Sequence, residues 1–390
     1  MIDPDRQRLA KRYAQQKRAL LAAEIFLAAA YLVACQIALS AGGLHVLRPA
    51  GIALLFVVLA VVFELLVLPL SWIEYQLARG YGLSVQTAGS WFADQLKTLA
   101  LTILLGGGLV ELAYLLMRLE PRWWWLATAG VMFLFTVLLA NLAPVLIAPR
   151  FYKFTPLADP ELTNRLLALA RKAGTAVRGV FTIHLSEKTT AANAALMGWG
   201  NTRRIVIGDT LTASFTHDET EAVLAHELGH HVHHDIPKAI ALETAAVLAT
   251  LGLSSVVFQA LSGLGAAPPL PDAAGMPLLA LLFSFWSALF TPLTNWASRR
   301  SERQADRYAI QTATRPEAFT HSMIRLANQN LAEIDPPRWV ELLLHDHPAI
   351  KRRIEMFESK SEPSDIADDQ VAQDLEKDDG HPGRDVHHAQ

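Results

Sequence analysis

The sequence DETEAVLAHELGHHVHHD occupies residues 218–235 and contains the pattern H-E-x-x-H, formed by His226, Glu227 and His230. Residues 220–228 contain neither Pro nor Gly and place apolar side chains at helical spacing, which predicts a buried helix. Side chains four positions apart lie on one face of a helix, so the two imidazoles can bind one metal ion. Zinc is the usual occupant of such a pair, and we predict one Zn²⁺ per chain.

Glu227 stands next to the first histidine and can reach a water molecule bound to the same metal. A carboxylate in that position takes a proton from the water, which then attacks a carbonyl, so we predict that Glu227 is a general base. Chance is the alternative, because three fixed positions can coincide by accident in a chain with 14 His. A third ligand elsewhere in the sequence would separate the two interpretations.

The stretch SRRSERQADRYA, residues 298–309, supplies two carboxylates four positions apart, Glu302 and Asp306. The stretch has no Pro and is predicted to be helical, so both carboxylates share one face. Glu302 can complete the zinc site, and Asp306 can hydrogen-bond a ligand histidine and fix its tautomer. The alternative is an exposed helix of salt bridges, since four arginines lie in the same stretch.

Two further polar residues are candidates for contact with a substrate. Asn193 lies in the segment 191–199, which is predicted to form a strand at a sheet edge, where an extended peptide can pair with the backbone. Its side chain could hold a substrate carbonyl, or it could cap a turn. His347 precedes Pro348 and could donate to a developing oxyanion, although a histidine before proline is also common in turns.

The composition predicts a membrane protein, because 52% of the 390 residues are hydrophobic, 18% are charged and the mean hydropathy is +0.25. A net charge of −3 gives no reason to expect nucleic-acid binding, and the single cysteine excludes a disulfide framework. Apolar runs of about 20 residues or more predict six membrane spans. These spans are residues 19–41, 50–77, 95–117, 123–147, 236–262 and 276–297.

Basic residues near the spans predict the orientation, because Lys and Arg accumulate on the cytoplasmic side. Residues 1–18 are strongly basic, and four spans follow before residue 150, which keeps residues 150–235 in the cytoplasm. We therefore expect the metal site at the cytoplasmic face of an integral multi-pass protein. The absence of a retrieval signal leads us to expect a bacterial inner (plasma) membrane.

The predicted fold is mainly α, a transmembrane bundle of several spans with a small α+β insertion. The insertion combines an amphipathic helix over residues 159–173 with short strands at 180–185, 191–199 and 204–207. Three regions follow from this pattern. They are a membrane region (1–149, about four spans), a zinc metallopeptidase domain with two further spans (150–358), and a disordered acidic tail (359–390).

The chain resembles the integral-membrane zinc metalloproteases of the CAAX prenyl protease type. The resemblance covers about residues 50–357 and implies that the insertion is of the gluzincin type. Its motifs occur in the family's order: residues 151–157, 193–198, 204–211, 226–230, 301–306 and 347–348 with 353–354. The membrane part around residues 73–101 is also similar to that family.

The resemblance implies zinc-dependent peptide hydrolysis at the cytoplasmic membrane face, on a peptide or membrane-protein substrate that can carry a lipid. It implies that Asp306 is a proton donor or the residue that orients a ligand histidine. Matched by position, the zinc ligands would be His226, His230 and Glu302, the general base Glu227, and the substrate- or intermediate-binding residues Asn193, His347 and Arg353.

Three departures from the family leave the substrate open. Six spans are predicted where the eukaryotic enzymes have seven, residues 195–197 after the pair Asn193–Ala194 include no aromatic residue, and Ala349 follows Pro348. One alternative is a quality-control metalloprotease that cuts damaged membrane proteins. Another, of a different class, is a non-catalytic membrane scaffold that keeps a structural zinc ion.

Overall fold

The computed structural model describes residues 2–42, 45, 48–198 and 200–361. The predicted acidic tail lies outside these residues from position 362 onwards. Residues 359–361 form the end of a helix, so the prediction of a disordered tail from residue 359 is wrong for these three positions.

Within the described residues, six helical segments are long and apolar enough to cross a membrane, judged by length and composition. The predicted mainly α fold with several spans is confirmed. Two segments contain a π-helical turn, at Thr102–Gly106 and Ala143–Ile147. The segments comprise α1 (Pro4–Ala41), α2 (Pro49–Gly80), α3 (Ala88–Leu101) with α4 (Gly107–Leu119), α5 (Trp124–Leu142) with α6 (Ala148–Phe151), α10 (Asp235–Gly263) and α11 (Met276–Thr312).

The helices extend beyond the predicted spans. α1 begins at Pro4, where Asp3 caps its first turn, and α11 continues past the last span as far as Thr312. One continuous helix therefore carries both the sixth span and the two carboxylates of the predicted metal site. Buried residues on several spans form the core of the bundle, among them Ile52 on α2 and Trp124 on α5.

The remaining elements form the small α+β part. Their bounds are β1 (Phe154–Pro156), α7 (Pro160–Lys172), β2 (Val180–Ile183), β3 (Ala194–Met197), β4 (Arg204–Gly208), α8 (Asp209–Thr212), α9 (His217–Val232), α12 (Glu317–Gln329), α13 (Arg338–Leu344) and α14 (Ile350–Ser361). Short 3₁₀ turns lie at Leu185–Glu187, Gly200–Thr202 and Ala273–Gly275. The predicted strands are present, and β1 was not predicted because three residues are too few for a periodic pattern.

The sheet has the order β1-β2-β4-β3. β2 and β4 are parallel, and β3 pairs antiparallel with β4, with Ala194 opposite Ile207 and Met197 opposite Arg204. β3 therefore lies at an edge, as predicted, and no strand among the described residues pairs with its other side. The fully buried Leu166, Ile205 and Leu228 pack α7, the sheet and α9 into one core.

A capping box sets the start of α9. The Thr216 side chain accepts a hydrogen bond from the Glu219 N–H, and Glu219 accepts one from the Thr216 N–H. The helix ends at Val232, and His234 then adopts a left-handed conformation with φ 55° before α10 begins. This turn joins the helix of the H-E-x-x-H pattern directly to the fifth membrane segment.

Candidate active site

The site depends on a close crossing of α9 and α11. A Cβ atom at Gly229 would lie 2.8 Å from the Cα of Ala305, a distance that real side chains do not reach. The two helices can approach this closely only because position 229 is a glycine. Ala305 lies between Glu302 and Asp306, so the crossing places both carboxylates against the two motif histidines.

The side chains of the three predicted metal ligands lie close together. Potential ligand atoms of His226, His230 and Glu302 all lie within 4.8 Å of one another. The Nε2 atoms of the two histidines lie 3.3 Å and 3.2 Å from the two carboxylate oxygens of Glu302. Glu302 is 5% exposed and Asp306 is fully buried, which excludes the alternative of an exposed salt-bridge helix.

The donor set fits a zinc ion. Two imidazole nitrogens and one carboxylate oxygen are a common set of three protein ligands at catalytic zinc sites, which leave a further position for water. Oε2 of Glu302 is buried and, among the described residues, has only long contacts, at 3.3 Å from the His226 Nε2 and 3.7 Å from an Arg353 nitrogen. A cation between these three side chains would satisfy that oxygen.

A carboxylate stands behind each ligand histidine. The Nδ1 of His226 lies 2.9 Å from Asp306, and the Nδ1 of His230 lies 3.0 Å from Asp235. A carboxylate on Nδ1 keeps the proton there and turns Nε2 towards the metal. Burial opposes the charged form of His226, but its hydrogen bonds with Asp306 and Glu302 outweigh burial and raise its pKa to about 9.

Arg353 is buried in the same cluster, behind His226. Its guanidinium donates to both oxygens of Asp306, at 2.6 Å and 2.9 Å, and lies 3.7 Å from Glu302. Only 8% of the residue is exposed, so the guanidinium is occupied by protein groups. The resemblance implied a substrate contact for Arg353, whereas in the structure its guanidinium is bonded to Asp306, which in turn lies against His226.

Glu227 lies on α9 next to His226. Its side chain is half-buried, and within the described part of the chain it makes no hydrogen bond or ion pair. Burial raises the pKa of the Glu227 carboxyl above its ordinary value, against the opposing effect of His226 and His230. A carboxylate without a protein partner, beside two metal ligands, is free to bind a water molecule.

His347 reaches the site from the loop between α13 and α14. Its Nε2 lies 3.1 Å from Glu302, and its Nδ1 lies 2.7 Å from Asp346. Hydrogen bonds to these two carboxylates, opposed by burial, raise the pKa of His347 to about 10, so the ring is protonated at neutral pH. A protonated ring next to the ligands can donate to an anion.

Arg299 holds the loop that carries His347. The guanidinium is buried on α11, one turn before Glu302, and donates to the carbonyls of Glu341 and His345. Glu341 in turn accepts a hydrogen bond from the N–H of Ala349, on the other side of the histidine. Backbone groups on both sides of His347 are therefore fixed to buried side chains.

Asn193 lies apart from the ligand cluster, directly before β3. The residue is exposed, and its carbonyl accepts a hydrogen bond from the N–H of Gly208 at 2.8 Å. Further along the strand, a cavity of about 460 Å³ separates Leu196 and Met197 from His230. The cavity therefore lies between the edge strand and one of the motif histidines.

The structure thus brings six predicted residues into one cluster: His226, Glu227, His230, Glu302, Asp306 and His347. Arg353 lies behind it and Asn193 at the end of the adjoining strand. Sequence reasoning missed Asp235, although it stood in the first stretch that we considered, five positions after His230. Its signal was an acidic residue three positions after the motif helix, close enough in sequence to be a partner for His230.

Profiles of two protein families match nearly the whole chain. The profile described as peptidase family M48 matches residues 156–361, and the profile described as CAAX prenyl protease N-terminal, five membrane helices, matches residues 20–153. The two matches meet close to the point at which the membrane segments give way to the sheet.

Individual relatives agree with these profiles. The uncharacterized metalloprotease YhfN of Bacillus subtilis is 34% identical over 318 residues, or 78% of this chain and 72% of that protein. CAAX prenyl protease 1 of Saccharomyces cerevisiae is 27% identical over 76% of this chain and 69% of its own length. The crystal structure of S. mikatae Ste24p shares the fold, with a TM-score of 0.76 over 91% of this chain and 89% of that one at 24% identity.

Proposed function

The chain is a membrane metalloprotease of peptidase family M48 and of the CAAX prenyl protease type, and on that premise we propose that it is a zinc-dependent endopeptidase. The observation that carries the proposal is the convergence of His226, His230 and Glu302 beside the unpartnered carboxylate of Glu227. The four groups come from two stretches of sequence with two membrane spans between them, so chance in the sequence does not explain them.

When bound, zinc would polarise the scissile carbonyl and acidify a water molecule. Glu227 accepts the proton of that water and can pass it to the leaving amine, because its carboxylate has no competing partner. His347 donates a hydrogen bond to the oxygen on which negative charge develops. Asp306 and Asp235 keep the ligand imidazoles in the required tautomer, and Arg353 neutralises Asp306, so these three are positioning residues.

The edge strand supports binding of an extended peptide. A substrate paired with the open side of β3 would pass along the cavity beside His230, with backbone hydrogen bonds supplying affinity for different sequences. The Asn193 side chain, at the start of the strand, is proposed to hold one substrate carbonyl. Asn193→Ala should then raise KM several-fold and leave zinc content unchanged, whereas an unaltered KM would remove Asn193 from the peptide site.

We propose a lipid-modified peptide as the substrate class, because the chain is similar to proteins described as CAAX prenyl proteases. The second candidate is a damaged membrane protein, which the departures from the family motif after Asn193 leave open. Purified enzyme should be given a farnesylated peptide, the same peptide without the lipid, and an unfolded membrane protein. Preference for the farnesylated peptide supports the first candidate, and cleavage of the unfolded protein alone supports the second.

Removal of the metal tests the alternative that the protein is a non-catalytic scaffold. Chelation should abolish peptide cleavage, and one equivalent of Zn²⁺ per chain should restore it. A protein that binds zinc and cleaves no peptide under any of these conditions would be a scaffold.

The proposed division of the chain near residue 150 is supported by the ranges of the two family matches.

The active site is proposed to face the cytoplasm of a bacterial cell, in the inner membrane. The support is the basic segment before the first span and the even number of spans before β1. In a Cys35→Ser background, an Arg171→Cys variant should react with a membrane-impermeant maleimide only after the inner membrane is permeabilised. Labelling in intact spheroplasts would show that residue 171, and with it the active site, faces the outer side of the inner membrane.

A further inference from the structure

One face of the first four turns of α1 packs on the segment around residue 330 and on the end of α2 with the loop that follows it. The contacting residues recur at helical spacing, and the residues between them are exposed. The contact face consists of Arg6, Gln7, Ala10, Tyr13, Ala14 and Arg18, whereas Arg8, Leu9, Lys11, Arg12 and Gln15 are exposed. Because most of this face is polar, hydrophobic periodicity does not reveal it.

Arg6 and Gln7 bind the backbone of the segment that comprises the last two residues of α12 and the residues that follow it. The Arg6 guanidinium donates to the carbonyl of Asn328 at 2.7 Å and 2.9 Å. The Gln7 amide donates to the carbonyl of Ala332 and accepts from the N–H of Ile334, each at 3.1 Å. Both contacts span more than 300 positions in the chain, so they fix the segment 328–334, here called the linker, to the start of α1.

One residue of the linker has an unfavourable backbone conformation. Leu331 has a φ of 48°, in the left-handed region that a leucine seldom adopts. Its side chain is 3% exposed and packs with Ala10 of α1 and Leu83 of the loop after α2. A conformation of this kind persists only where packing and hydrogen bonds with neighbouring residues stabilise it, and α1 provides part of these contacts.

The opposite side of the linker binds the segment that leads into β3. The Asn330 side chain accepts a hydrogen bond from the N–H of Ala192 at 2.8 Å and donates to the carbonyl of Ala192 at 3.1 Å. The Gln329 amide donates to the carbonyl of Thr190 at 2.8 Å. Ala192 lies two positions before the edge strand, so the linker fixes the backbone from which the strand begins.

We propose that residues 4–18 of α1 are a positioning element for the peptide-binding edge, acting through the linker. The inference rests on the proposed function, because it assigns the control of substrate affinity at that same site. Arg6 and Gln7 hold the linker, Asn330 holds Ala192, and the strand β3 is thereby presented in the register that an extended substrate requires. The basic segment before the first span therefore does more than orient the chain in the membrane.

The test compares Arg6→Ala with Arg8→Ala in the full-length protein. The two arginines are two positions apart on one helix, but the Arg8 side chain is 76% exposed and forms an ion pair with the similarly exposed Asp5 of the same helix turn. Arg6→Ala should raise KM about tenfold for an extended peptide while kcat and zinc content stay at the parent values, as expected for coupling through a packed segment. Arg8→Ala should leave KM unchanged. Equal KM values for the two variants would overturn the proposal.

Asn330→Asp is the second variant, since it keeps the shape of the side chain and removes its donor to Ala192. It should raise KM as Arg6→Ala does, and the double variant should be no worse than the more severe single variant, because both act through one path. Additive effects on KM would show that Arg6 acts elsewhere and would contradict the proposed route.

Hydrogen exchange provides a readout that does not need catalysis. Backbone amides of residues 188–198 should exchange faster in zinc-loaded Arg6→Ala than in zinc-loaded Arg8→Ala, with amides of α9 unchanged. This result supports the positioning element even if the protein cleaves no peptide, in which case only the proposed function fails. Identical exchange over residues 188–198 in the two variants overturns the positioning element regardless of activity.

Discussion

The groups behind the proposed metal ligands, on the side away from the metal, and the groups in front of them, on the substrate side, differ in how many hydrogen bonds they make with protein. Behind the ligands, Asp306 is completely buried and bonded to both His226 and Arg353. In front, Glu227 has no protein partner among the described residues, and half of the His347 side chain is exposed. Asp306 has its hydrogen-bonding capacity filled by protein, whereas Glu227 keeps capacity for water and substrate. Both ring nitrogens of His347 lie near protein carboxylates, Asp346 and Glu302, so a substrate oxygen would have to replace one of these partners.

This difference predicts two separable kinds of defect. A substitution behind the ligands should weaken zinc binding, because the imidazoles lose the carboxylates that orient them. A substitution in front should reduce turnover and leave zinc bound. Measuring zinc content and cleavage together therefore tests each assignment, and the effects below run from the largest to the smallest.

Glu227→Gln should have the largest effect on turnover. The amide keeps the size of the side chain but cannot accept the proton, so kcat should fall about 10³-fold or more. Zinc content, measured by atomic absorption, should remain at the parent value. A variant that cleaved peptide at the parent rate would show that Glu227 is not the general base.

His347→Ala should lower kcat by about 10²-fold, because one donor to the developing oxyanion is lost. Arg299→Ala should give a smaller loss, of about tenfold, since the loop loses its anchor and His347 keeps its chemistry. In the His347→Ala background, Arg299→Ala should have almost no further effect on kcat. Additive losses would assign Arg299 a role independent of His347.

The two supporting carboxylates should differ from each other. Asp306→Asn should weaken zinc binding by about 10²-fold, and Asp235→Asn by about tenfold, within the range measured for such partners elsewhere. The reason is that Asp306 is fully buried with a buried arginine beside it, whereas Asp235 supports the more exposed histidine. Chelator competition gives both dissociation constants, and equal values would remove the distinction between the two supports.

Zinc affinity should depend on pH in a direction set by His226. Its pKa is raised to about 9, so at neutral pH zinc must displace a proton from the ring. The apparent affinity should therefore rise with pH, by about tenfold per unit for each displaced proton, and level off above the pKa. Titrations at pH 6, 7 and 8 check this trend, and an affinity that did not change with pH would exclude competition with a proton.

Much of the site could be predicted because helical spacing fixes neighbours on one face. Two pairs of this kind occur, His226 with His230 and Glu302 with Asp306. Each pair could be predicted from a stretch of a few residues. That the two pairs meet could not be derived from local pattern. The meeting depends on Gly229 facing Ala305, a contact between residues separated by two membrane segments.

The roles of Arg353 and α1 were beyond sequence reasoning for a related reason. A buried arginine and an exposed one look alike in a sequence, and only the fold shows that Arg353 lies against Asp306. The membrane segments were predicted from hydropathy, which marks their apolar centres. Hydropathy could not show that α1 begins at Pro4 or that α11 runs on to the metal site, because their polar ends pack on protein.

The most direct test of the account is X-ray absorption at the zinc edge on the purified, zinc-loaded protein, combined with metal counting. The account predicts one zinc ion per chain with two imidazole nitrogens at about 2.0–2.1 Å and oxygen ligands for the rest. His226→Ala, His230→Ala and Glu302→Ala should each lose this signal, whereas Glu227→Gln should keep it. A zinc ion that stays bound with unchanged coordination when Glu302 is replaced would contradict the account.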